Sequence, residues 1–134
     1  MLKSKILILS IAFSLCLMVS LMGCATIEEG ARAIAGVSTR AVEKGRKTAI
    51  GKTVNQDYFT CYTKILEMLK QTDAYVYSRD VKKKMIAFYV SQSNTTPVGV
   101  FFKEIDAKNT QIEVSSPSTY AKEYFSAKVF KELQ

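Results

Sequence analysis

The residues able to do chemistry in this chain are few, and Cys24 is the best placed of them. It follows Leu21-Met22-Gly23, and the small Gly23 is what a signal peptidase requires before the bond it cuts. A thiolate there could take a diacylglycerol group and, once the bond is cut, become the mature N-terminus. Of the other cysteines, Cys16 lies in the apolar leader and Cys61 is left without a partner for a disulfide. The sequence contains no histidine, so it offers no Ser-His-Asp or Cys-His pair and no His-bearing zinc site. No catalytic residue, metal ligand or cofactor site is assigned, and the protein is not expected to be an enzyme.

Weaker candidates have plainer readings. Residues 45–53 (Gly-Arg-Lys-Thr-Ala-Ile-Gly-Lys-Thr) have five residues between the glycines where a P-loop has four, so a basic linker is expected rather than a nucleotide site. Lys82-Lys83-Lys84 reads as a solvated turn that discourages edge pairing, or as a contact for anionic lipid heads or wall polymer. Glu104, Asp106 and Glu113 gather near one hairpin and read as surface strand carboxylates. Tyr75, Tyr77, Tyr89 and Phe101 fall on the strand face opposite the expected core. They would form an aromatic partner surface or a shallow ligand groove, unless the preceding segment folds over them or the tyrosine hydroxyls simply point to water.

The N-terminal pattern supplies an address. Lys3 and Lys5 precede an apolar run, residues 6–22, interrupted only by Ser10, Ser14 and Ser20. The run is longer than a typical signal h-region of about 7–15 residues and shorter than a spanning helix of about 20, so its end decides between them. Leu21-Met22-Gly23-Cys24 resembles the lipobox of bacterial lipoproteins; Met22 departs from the small residue usual there. The resemblance implies a signal peptide over 1–23 and acyl chains such as palmitate on Cys24. Ala25, in place of the Asp that retains lipoproteins at the inner membrane, implies the outer membrane facing the periplasm, or the cell membrane in a single-membrane source. Two or three chains hold firmly, at about 0.8 kcal/mol per buried methylene. Loss of Lys3 and Lys5 with the leader lowers the formal net charge of +7 by two. The remaining excess could favour an anionic surface or wall polymer; nucleic acid is not an expected partner.

The remaining elements must present these residues. Residues 24–56 hold no aromatic side chain and contain a short duplication, 26–33 against 41–48. They are expected to form a tether of roughly 30 Å root-mean-square span, or a weak helix lying on the membrane or a partner. A globular domain is expected over 57–134. Asp57 would cap a helix to Gln71, with Tyr58, Cys61, Tyr62, Ile65 and Leu69 on one face. Strands follow over 74–78, 84–92, 97–106 and 110–115, with a polar turn at 79–83. Ser116 and Pro117 would open a last helix carrying Ala121, Phe125, Val129 and Leu133. The fold class is therefore α+β: a four-stranded antiparallel meander with both helices on one face.

With Asp106-Ala107-Lys108-Asn109-Thr110 and Gln111-Ile112-Glu113-Val114 as its third hairpin, this order resembles small bacterial lipoproteins of uncharacterised function over 57–134. The resemblance implies the fold and a non-enzymatic task, and transfers no site residue. The expected function is a lipid-anchored interaction or scaffolding module with an envelope protein partner. The alternative is a small-molecule or lipid-binding module using a cleft between sheet and helices.

Overall fold

The computed structural model describes residues 38–134, and the compact unit they form spans Thr39–Gln134. Its elements are α1 (Arg40–Lys44), a 3-10 turn (Gly45–Thr48), β1 (Ile50–Val54), α2 (Tyr58–Lys70), β2 (Tyr75–Asp80), β3 (Met85–Tyr89), β4 (Pro97–Glu104), β5 (Thr110–Ser115) and α3 (Thr119–Glu132). The sheet has five antiparallel strands in the order β1-β5-β4-β3-β2. The expected four-stranded meander is present as β2 to β5. The fifth strand comes from residues expected to be tether: β1 pairs with β5 from Ile50↔Val114 to Val54↔Thr110. Hydrophobic alternation gives little hint of it, because Gly51, Lys52 and Thr53 are all exposed. Backbone pairing along the strand, with Val54 alone buried in the main core, holds it in the sheet.

Local chemistry sets the helix ends. Asp57 accepts from the Thr60 backbone N–H at 2.9 Å and the Thr60 hydroxyl at 2.6 Å, which closes the first turn of α2. Helix α3 begins two residues later than the Ser116-Pro117 pair suggests. The Ser116 hydroxyl instead donates to the Pro97 carbonyl (2.7 Å), and Ser118 caps Ala121 (3.2 Å). The turn between β2 and β3 is short, with Lys84 in the left-handed region at φ 48°.

The main core lies between one sheet face and helices α2 and α3. Ile86, Phe88, Val98, Val100, Ile112 and Val114 meet Cys61, Ile65, Leu69, Phe125 and Val129 there. The period-two and i, i+4 patterns place these residues as expected. The other sheet face is covered in part, which the two-helix reading leaves open. Val42 of α1 is fully buried against Met85, Ala87 and Phe101.

This second layer requires Gly99. A Cβ at that position would stand 2.9 Å from the Val42 Cβ and 2.9 Å from Cε2 of Phe101. Gly99→Ala is therefore expected to destabilise the fold by about 1–3 kcal/mol through overpacking, read as a lower midpoint in urea with an unchanged slope.

Candidate functional site

The aromatic residues singled out from the sequence separate into a buried member, Phe101, and three neighbouring tyrosines, of which Tyr77 packs against the same buried cluster. Phe101 is not on the surface. It is 3% exposed, beneath Val42, with the Arg46 guanidinium 4.3 Å from its ring centroid. Arg46 also donates from Nε and Nη2 to Oε2 of Glu113, at 2.9 and 2.7 Å. Glu113 is the cross-strand partner of Phe101, so one arginine caps both. The segment read as a basic linker thus fastens α1 and the 3-10 turn onto the sheet. The Ser115 hydroxyl adds a buried bond to the Val42 carbonyl at 2.6 Å.

Tyr75, Tyr77 and Tyr89 remain together at the β2 edge. Tyr75 and Tyr89 are direct cross-strand partners whose rings lie 6.4 Å apart and 9° from parallel. Tyr77 sits at a register shift between Val76 and Ser78, and its ring lies 4.4 Å from that of Tyr89. Tyr75 is 49% exposed, whereas Tyr77 and Tyr89 are half-buried.

The Tyr77 hydroxyl is buried and has no hydrogen-bond partner among the described residues. Burial, with a smaller contribution from Tyr89, pushes its pKa up to about 12. A raised folded-state pKa means stability is intact below the unfolded value near 10 and falls as pH rises through about 12. Tyr77→Phe removes an unsatisfied buried oxygen. It is expected to leave stability at pH 7 unchanged or higher by about 1 kcal/mol, and to flatten the alkaline loss. Urea melts at pH 7 and 11 check both.

The remaining candidates have separate partners. Lys83 binds Glu43 at 2.7 Å, and Lys84 pairs with Glu104. The Lys83 bond, with help from Thr39, holds the Glu43 carboxyl below its ordinary range. Asp106 accepts from the Asn109 side chain and the Lys108 backbone N–H, which lowers its pKa. Glu104, Asp106 and Glu113 thus do not converge on one point. Cys61 is fully buried, and desolvation raises its thiol pKa. Cys24 and the duplicated segment 26–33 lie outside the described residues.

A groove of about 330 Å3 was not anticipated from the sequence. The groove lies where the start of α3 meets the α2–β2 and β3–β4 loops, beside the core residues Ala121 and Phe125. Its lining includes Asp73, Val90, Asn94, Tyr120, Tyr124 and Phe125. The signal available in the sequence was Tyr120 and Tyr124, four residues apart on the helix and off its apolar stripe.

Comparison with known families matches residues 5–119 to the family described as Protein of unknown function (DUF3568). The chain belongs to that family. No curated protein matches it.

Proposed function

We propose that this protein is a lipid-anchored envelope lipoprotein without enzymatic activity, which holds an envelope protein partner through the Tyr75–Tyr77–Tyr89 ladder. Residues 1–23 act as the signal peptide, and Cys24 carries the lipid that retains the chain at the outer membrane, facing the periplasm. The leader charge, the apolar run and the Gly23-Cys24 junction support the anchor. The compact unit that the anchor would carry begins at Thr39.

One observation carries the partner surface. The Tyr75–Tyr89 ring pair joins β2, a terminal strand of the sheet among the described residues, to its neighbour β3, with Tyr75 about half exposed. Flat aromatic rings beside a sheet edge give a partner both apolar area and backbone hydrogen bonds. A photo-crosslinking residue at Tyr75 is expected to trap one defined envelope protein in intact cells. The same residue at Phe59, which is 74% exposed on α2, is expected to trap none. Equal trapping at both positions, or none at Tyr75, would remove the ladder as the site.

A further inference from the structure

The groove at the start of α3 combines features that the tyrosine ladder lacks. Val90 and Phe125 supply apolar lining, and Asp73 supplies the one charged side chain among the described residues that line it. Asn94 accepts through Oδ1 from the Thr96 backbone N–H (3.1 Å) and hydroxyl (2.7 Å), which fixes its side chain and leaves Nδ2 as a donor. Tyr120 and Tyr124 form a platform, with ring centroids 6.2 Å apart and planes 15° from parallel. They are 77% and 45% exposed. Tyr124 meets Phe125 edge-on at 5.1 Å, and Phe125 meets Phe88 at 4.8 Å, so the platform is tied to the main core. A fold selected for stability alone would gain by covering such rings.

We infer that this groove binds a neutral saccharide. A pyranose ring has an apolar C–H face and a rim of hydroxyl groups. Tyrosine faces match the former, and a carboxylate, a carboxamide and hydroxyls match the latter. The volume is at the lower end of the range for ligand pockets, about 300–1,000 Å3, which suits one or two sugar rings.

Other ligand classes fit less well. An anionic ligand would meet the Asp73 carboxylate with like charge. An acyl chain would desolvate Asp73 and Asn94 without giving them partners. A quaternary ammonium ion would suit Asp73 and the rings, but Lys128 Nζ lies over the Tyr124 ring at 5.0 Å and would repel a second cation there, which leaves the more exposed Tyr120 as the open face for an uncharged sugar.

The test is binding of two neutral probes, tetra-N-acetylchitotetraose and maltotetraose, and of choline as the competing cation, to the full chain in detergent micelles. Tyrosine fluorescence can report it directly, since the sequence contains no tryptophan. At least one probe is expected to bind saturably. Tyr120→Ala and Asp73→Asn are each expected to weaken that binding about tenfold or more with an unchanged melting temperature, because both side chains are exposed. The inference is overturned if neither probe binds, if both variants bind like the parent, or if choline binds more tightly than the sugars. Neither variant touches Cys24 or the tyrosine ladder, so failure here leaves the proposed function standing.

Discussion

Replacing Cys24 by Ala is expected to leave a full-length precursor that still begins at Met1 and carries no lipid. Alanine has no nucleophile, so no diacylglycerol can be attached, and a peptidase that acts on the acylated cysteine has no substrate. The parent protein is expected to lose residues 1–23 and gain acyl chains, each methylene contributing about 0.8 kcal/mol of membrane affinity. Intact mass spectrometry of detergent-extracted protein separates the two outcomes. A parent chain that begins at Met1 with no added mass would overturn the anchor and, with it, the proposed compartment. Cys24→Ser is expected to behave like the alanine variant, since a hydroxyl is a far weaker nucleophile than a thiolate.

Val42→Asp is expected to release α1 from the sheet without unfolding the main core. Val42 is fully buried, and a carboxylate in its place would face Met85, Ala87 and Phe101, while the Arg46 guanidinium over the Phe101 ring is already engaged by Glu113. Keeping that charge buried costs several kcal/mol, so the segment should undock instead. The loss is then limited to what docking contributes: about 1.5–3 kcal/mol for the valine side chain, about 1 kcal/mol for the buried Ser115 bond to the Val42 carbonyl, and smaller terms for the Arg46–Glu113 and Lys83–Glu43 pairs. Both pairs are discounted because their side chains remain partly exposed. Undocking uncovers Phe101 and Met85, so the variant should bind a hydrophobic dye and exchange the amide hydrogens of 39–48 rapidly. Slow exchange there, with parental stability, would show that Val42 does not hold the second layer.

The main core was legible because its residues obey simple periods. Ile112 and Val114 alternate with Gln111 and Glu113, and Ala121, Phe125, Val129 and Leu133 recur every four residues. Such patterns state which side faces the core with no knowledge of the partner. Asp57 was legible as a cap for the same reason, since its bonds reach only to Thr60. Two features escaped this local reading. β1 has a mostly exposed strand surface, so no apolar alternation announced it, and its pairing partner lies far along the chain at β5. Val42 belongs to a thin apolar stripe in a charged segment, which does not say what it packs on, and its burial depends on the space left by Gly99.

The candidate sites divide in the same way. Tyr75, Tyr77 and Tyr89 could be placed on one face from strand alternation, but Phe101 shared that pattern and is buried. Only the docking of α1 distinguishes it from the others. The groove was invisible because its lining is drawn from two loops and a helix, whose relative positions no local pattern specifies.

By itself the sequence determined the α+β class, the apolar faces of strands and helices, and the thiol chemistry available at Cys24, because each depends on residue type and near-neighbour spacing. The tertiary structure decided how many strands the sheet has, which aromatic rings stay in water, and where a groove remains open. Those outcomes depend on contacts between residues distant in the chain, where backbone pairing and close packing settle what local periodicity leaves open.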